Sequence, residues 1–331
     1  MSANLLSRLA LAASVGAATV LAAGGCSSTP AASSSKSGPE LTHITVGVLP
    51  IEDSAPLFIA IKEGYFKQEG LTVTPKIIEQ STLAIPDMLS GSIDIVGSGN
   101  YVSFLDAEAK GVVKVRILAA ASQCGSGNTL NVLALPKSKI TSPAALAGKS
   151  IAVNLTNNVQ TLTINAVLKA DGVNPATVKY VQIPFPDMAA ALKAGSVDAM
   201  SAVEPFITGA EQADGAVSVL AQCSGPTAGL PLSGYYATQA WVQKYPKTAL
   251  AFQAAIDKAQ ALADSDHKLV QDVLPTYSTI TPKIASLISL PDYPPSLDPT
   301  QIERIATLML SGGMLKSPLN VMPLLFHPRG S

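Results

Sequence analysis

Charge is scarce in this sequence. Only 14% of its 331 residues are Asp, Glu, Lys or Arg, and the formal net charge is -1. The cations stand in ones and twos. Neutralising a phosphate backbone needs a basic stripe or patch, so nucleic acid is not an expected partner. Histidine is scarcer: His43, His267 and His327 share no metal-ligand spacing, and there is no G-x-S-x-G elbow and no P-loop. Ser33 and Lys36 satisfy S-x-x-K, but only in a segment too polar to form a pocket. These absences argue against an enzyme, and no metal or cofactor is expected. Beyond the first 26 residues no apolar run is long enough to span a membrane.

What is present is apolar: 47% of the residues are hydrophobic, enough to bury one large core or two smaller ones. The N-terminus carries Arg8, an apolar run from Leu9 to Ala23, then Gly24-Gly25-Cys26. Residues 1–25 therefore have the layout of a secretory signal, with a run shorter than a membrane span needs. Leu21 to Cys26 resembles a bacterial lipoprotein signal, although Ala23 stands where that pattern usually has Leu. The resemblance implies lipidation of Cys26 and anchoring to the outer face of the cytoplasmic membrane. An ordinary signal peptide cut nearby, or a retained signal anchor, is the alternative. Ser27 to Glu40 holds no large apolar side chain, so residues 26–40 are expected to form a flexible tether with a reach of roughly 20 Å.

From Leu41 onward short apolar strands alternate with helical segments, the pattern of an α/β fold with a largely parallel sheet. His43 to Leu49 predicts a strand, Asp53-Ser54 a helix cap, Leu57 to Phe66 a helix and Leu71 to Ile78 the next strand. Thr82 to Leu89, with Pro86 kinking or delaying its helix, leads through Gly91 to a strand over Ile93 to Val96. A second copy follows: strand Lys149 to Val153, helix Val159 to Lys169, strand Val178 to Ile183 and helix Met188 to Lys193. Gly195-Ser196-Val197-Asp198 then repeats Gly91-Ser92-Ile93-Asp94, so two lobes of like topology are expected. Pro86-Asp87-Met88 and Pro186-Asp187-Met188 also match, but four residues out of register once the glycines are aligned, which reads as coincidence. Strand Gly234 to Thr238 and helices Lys247 to Asp264, His267 to Leu274 and Pro299 to Ser311 come last. They have no sheet of their own and are expected to pack back on the first lobe. Lobe 1 thus takes residues 41–122 and 226–331, lobe 2 residues 128–222, with crossovers at 123–127 and 223–225.

These residues resemble the bacterial substrate-binding proteins of ABC importers, in the group that includes the alkanesulfonate, nitrate, taurine and thiamine-precursor binders. The run Pro56 to Leu71 (PLFIAIKEGYFKQEGL) resembles that family's first helix and turn. Ser90 to Ile95 and Ala194 to Ala199 resemble its two helix-to-strand turns, Glu204-Pro205-Phe206 its second-lobe loop, and Trp241 with Tyr245-Pro246 the start of its late helices. The resemblance implies a periplasmic-binding-protein-like fold of type II, with two lobes, a central cleft and two crossovers. It also implies a hinged clamp, working as a monomer, that hands a small molecule to an ABC permease with a cytoplasmic ATPase. The related eukaryotic pyrimidine synthases use a cysteine-rich motif that this sequence lacks. A ligand sensor docking on a membrane receptor would need the same clamp.

In such a fold the ligand lies beyond the carboxyl ends of the strands. Candidates in the first lobe are Asp53 and Ser54, either as contacts or as caps, then Gln80, Ser81, Ser98 and Asn100, with Gly99 allowing close backbone approach and Tyr101 able to stack. In the second lobe they are Asn154, Asn157 and Asn158, with Asn157 or Asn158 capping a helix, then Phe185, Asp187 and Glu204, the last with a structural role across the hinge as its alternative. Acids occur among them and Arg or Lys do not, which favours a neutral, zwitterionic or cationic nitrogenous ligand such as a pyrimidine thiamine precursor over a sulfonate or nitrate. Helix N-termini could still hold an anion. With Cys26 lipidated, Cys124 and Cys223 remain, both at the expected crossovers in an oxidising compartment, so a disulfide across the hinge is predicted. Two separate buried thiols are the alternative.

Overall fold

A computed structural model describes residues 38–127 and 129–327. The signal segment and Cys26 lie outside the described residues. The expected tether is shorter than predicted at its far end, because Glu40 is already fixed: its carboxylate accepts from Lys247 N-H at 3.1 Å and from Thr248 N-H at 2.8 Å.

Four strands open the fold: β1 (His43–Val48), β2 (Thr72–Ile77), β3 (Ile95–Asn100) and β4 (Val115–Gln123). Five more follow: β5 (Leu130–Ala134), β6 (Ser150–Val153), β7 (Lys179–Gln182), β8 (Ala199–Val203) and β9 (Val217–Ala221). The last, β10 (Pro231–Thr238), returns to the first group. Helices α1 (Ala55–Lys62) and α2 (Tyr65–Gln68) join β1 to β2, α3 (Ile85–Ser90) joins β2 to β3, and α4 (Tyr101–Ala109) joins β3 to β4. In the second group α5 (Val159–Ala170), α6 (Phe185–Ala194) and α7 (Phe206–Asp214) follow β6, β7 and β8. After β10 come α8 (Gln239–Lys244), α9 (Pro246–Ser265), α10 (His267–Val273), α11 (Pro282–Ala285) and α12 (Pro299–Ser311).

The strand orders are β2-β1-β3-β10-β4 and β7-β6-β8-β5-β9. Each sheet has three parallel strands followed by an inserted strand, β10 or β5, that runs antiparallel to both its neighbours. The protein is therefore α/β with two mixed sheets of like order. The chain passes from the first sheet to the second after β4 and returns after β9. Cys124 and Cys223 stand at those two points and form a disulfide.

The repeated Gly-Ser-x-Asp turns do the same work in both sheets. Gly91 and Gly195 take left-handed φ of 79° and 75° and end α3 and α6. Three residues on, Asp94 accepts from Thr45 N-H in β1 and Asp198 from Ser150 N-H in β6, at 2.8 and 2.9 Å. The Pro-Asp-Met match is real rather than coincidental. Both motifs open the helix that joins corresponding strands, β2 to β3 in one sheet and β7 to β8 in the other, with the proline in its first turn. The helix has 6 residues in one case and 10 in the other, so the four-residue offset is one extra helical turn.

On one face of the first sheet, Val46, Leu57, Ile95, Tyr235, Phe252 and Ile256 pack under α1 and α9. The other face, with Phe104, Ile117 and Tyr236, meets α4 and the Ile302 and Ile305 side chains of α12. Burying each such side chain stabilises by about 1.5–3 kcal/mol. The late helices pack on the first half as expected, except that α12 lies against α5 of the second half as well.

Candidate functional site

Between the sheets, a cavity of about 40 Å³ lies at the carboxyl ends of the parallel strands. From the first half it is lined by Leu49, Ile51, Asp53, Ser81, Ser98, Asn100, Leu232 and Ser233, and from the second by Leu130, Asn154, Asn158, Val159, Gln160, Phe185 and Val203. Two of the polar side chains are set by helix capping. Asn100 ends β3 and caps α4, accepting from Ser103 N-H at 2.9 Å. Asn158 caps α5 in a reciprocal box with Thr161. Gln160 then accepts from Asn154 N-H and Asn158 Nδ2-H, both at 2.8 Å, and donates to Ser201 O at 2.7 Å.

Asp53 does not cap α1. Its Oδ2 accepts from Ser233 Oγ-H at 2.6 Å, and Ser233 lies 2.8 Å from Ser122 Oγ. Burial pushes the Asp53 carboxyl up to about 6, with the Ser233 and Ser122 hydroxyls opposing the shift. The lining contains no Lys, Arg or His. Such a site presents one buried carboxyl, several amide and hydroxyl groups and an aromatic wall, all suited to holding a small polar molecule.

Several expected contacts have other roles. Ser54 is fully buried behind the cavity, its Oγ donating to Leu49 O at 2.7 Å. Tyr101 is buried in the core edge-on to Tyr236, with no face left for a ligand. Gly99 makes room for protein instead: an added Cβ would meet Phe104 at 2.5 Å and Tyr236 at 3.1 Å. Asp187 is exposed on the first turn of α6 and does not line the cavity, whereas Phe185 does and stacks on Phe206. Glu204 caps the first turn of α7, accepting from Thr208 N-H at 3.0 Å and Thr208 Oγ1-H at 2.8 Å, and accepts from Ser289 N-H at 3.2 Å. That is the structural role given above as its alternative.

Gln80 and Asn157 join the two halves directly. Gln80 Nε2-H donates to Asn154 O, Gln182 Nε2-H donates to Gln80 Oε1 at 3.3 Å, and Asn154 Nδ2-H donates to Glu79 O at 3.2 Å. Ser103 Oγ-H donates to Asn157 O at 3.4 Å. These bonds bridge the cleft, so the conformation is closed. Gln160 and Ser233 are the lining polar residues that sequence reasoning missed. Gln160, a buried amide in a largely apolar helix, left a faint signal; Ser233 left none, since it lies one residue before the strand predicted from Gly234.

Comparison with known proteins places this geometry in a family. The profile of the NMT1-like family matches residues 37–274. The chain belongs to the NMT1-like family. The nitrate/nitrite binding protein NrtA of Synechococcus elongatus is 28% identical over 262 residues, covering 71% of this chain and 58% of that protein. The chain thus spans less than two thirds of that relative's length. The taurine-binding periplasmic protein of Escherichia coli is 26% identical over 219 residues, 66% of each chain. Among solved structures, the alkanesulfonate-binding protein SsuA from Xanthomonas axonopodis pv. citri, bound to MOPS, superposes with a TM-score of 0.73 at 18% identity over 87% of this chain and 99% of that one. That likeness shows the fold, which is that of the periplasmic solute-binding proteins. Among the described residues no helix is long and apolar enough to cross a membrane.

Proposed function

We propose that this chain is the extracytoplasmic solute-binding component of an ABC importer. As a monomer held to the membrane through a lipid on Cys26, it captures a small molecule between its halves and delivers it to a permease. The observation that carries this is the small polar cavity, lined from both sheets and closed over by bonds between them. Relatives named for binding nitrate, nitrite and taurine support it. A Cys26→Ser chain is expected to leave the membrane fraction, which fractionation and immunoblotting would show.

The solute we infer is small, nitrogenous, and neutral or cationic. Asp53 is the lone ionisable group in the lining, and an anion placed beside its carboxylate is repelled. Room for one water takes about 10–15 Å³ on this measure, so the closed cavity suits a solute of a few heavy atoms. A pyrimidine thiamine precursor would need the halves farther apart. The second reading is a nitrate- or sulfonate-type anion, favoured by the NrtA and taurine-protein relatives.

A thermal-shift screen of the purified chain against primary amines, amidines, pyrimidines, amino acids, nitrate, taurine and alkanesulfonates tests both readings. A saturable rise with a nitrogenous solute, lost in Asp53→Asn, is expected; occupancy at 100 times Kd stabilises by about 2.7 kcal/mol. A rise with nitrate or sulfonates alone would overturn the charge reading and keep the import role. No response to any solute class from a folded sample would overturn the import role itself.

A further inference from the structure

Two buried carboxyl groups from opposite halves lie outside the cavity lining and have no cation beside them. Glu52 follows β1 and Glu204 follows β8, so they belong to opposite halves, and each is only 1% exposed. They meet where the halves touch: Glu52 N-H donates to Glu204 O at 3.4 Å. Glu204 is well satisfied, by Thr208 and by the Ser289 N-H already described. Glu52 is not, because its Oε2 has no hydrogen-bond partner. The groups facing it are Asp53, Glu204 and the phenols of Tyr277 and Tyr293, which donate to Ile51 O at 3.0 Å and Glu52 O at 3.1 Å. Tyr235 stands behind Asp53, and Glu211 acts on Glu204 from the second half. None of these is a cation.

A buried carboxylate with no cation and an unpartnered oxygen is a poor place for negative charge, and the protonated acid is the form that fits. Glu204 belongs to the opposite half, so its effect on Glu52 acts across the contact between the halves. We propose that closing the two halves takes up a proton at the Glu52–Glu204 pair, so that the closed conformation is a proton-bound one. This rests on the reading of the protein as a clamp that opens and closes, and supplies its regulation.

The direction follows from linkage. Burial, then the charges of Asp53 and Glu204, hold the Glu52 carboxyl well above its ordinary 4.5, and burial holds Glu204 at about 7. Groups held higher in the closed form than in the open one favour closure fully below their open-form value. That advantage is lost as pH rises through the raised one, the closed-to-open ratio falling by up to about tenfold per pH unit for one proton.

The test needs no solute. Small-angle scattering of the full chain between about pH 5 and pH 8 reads closure directly. A compact particle at the lower pH that expands toward the higher is expected, while Glu52→Gln, which cannot ionise, stays compact at both. Equal dimensions of the unsubstituted chain across that range, or a Glu52→Gln chain that follows it in full, would overturn the proposal. If circular dichroism shows that Glu52→Gln has not folded, Glu204→Gln replaces it and is expected to lose at least part of the pH response; a full response there would overturn the proposal equally. A chain that closes with protons yet answers no solute keeps this inference and loses the importer reading, and the reverse pattern does the opposite.

Discussion

At Asp53 a simple capping rule gives the wrong partner, and the reason is physical. A cap bond to a free N-H of α1 competes here with Ser233, 180 residues away, in a setting sealed from water. The hydroxyl bond to the carboxyl is short, at 2.6 Å, and it turns the side chain away from the helix end. Asp53→Asn is therefore expected to leave the fold intact and to remove affinity for a cationic solute by at least about tenfold, as calorimetry would show. With the native residue, a cation binds less well as pH falls below about 6, where the carboxyl takes up its proton, and an anion binds better. Gly99 teaches the same lesson in the core. Read from sequence as a place where backbone meets ligand, it is a place where β3 meets two rings, and Gly99→Ala is expected to destabilise by about 1–3 kcal/mol in thermal or urea unfolding.

Elements were easier to read than single side chains, because periodicity and punctuation survive in the sequence while long-range partners do not. Helix α12 runs from Pro299 to Ser311 as predicted, and the Gly-Ser-x-Asp turns mark the same corner of both sheets. The third strand was placed too early. Ser98 to Asn100 look like a polar turn but continue β3, since β10 arrives from far along the chain to pair with Gly99 and Asn100. Gln80 was expected to touch ligand because it follows a strand; only the packed halves reveal that it reaches Asn154 instead. Gln80→Ala is expected to loosen the closed form by about 1 kcal/mol, a several-fold loss of solute affinity with little change in unfolding temperature. At the crossovers, Cys124→Ser with Cys223→Ser removes a link across 99 residues and is expected to cost about 2–5 kcal/mol in urea unfolding under oxidising conditions.

For the molecule as a whole, the two acid groups of the cleft act in opposite directions on a cationic solute. Asp53 must lose its proton to attract the cation, whereas the Glu52–Glu204 pair must keep one for the halves to close. Affinity is expected to peak near neutrality and fall on both sides, which calorimetry across pH would trace. The topology carries a further consequence, for how the chain reaches this state. Strands β3 and β4 are not neighbours in the sheet; β10 lies between them, and its residues pair with β4 across more than 100 intervening positions. The second sheet, by contrast, is drawn from one continuous stretch. A chain emerging from its N-terminus can complete the second sheet while the first still waits for the strand that joins β3 to β4. Assembly is then ordered last-begun, first-finished, and the high sequence separation of the closing step makes it the slow one.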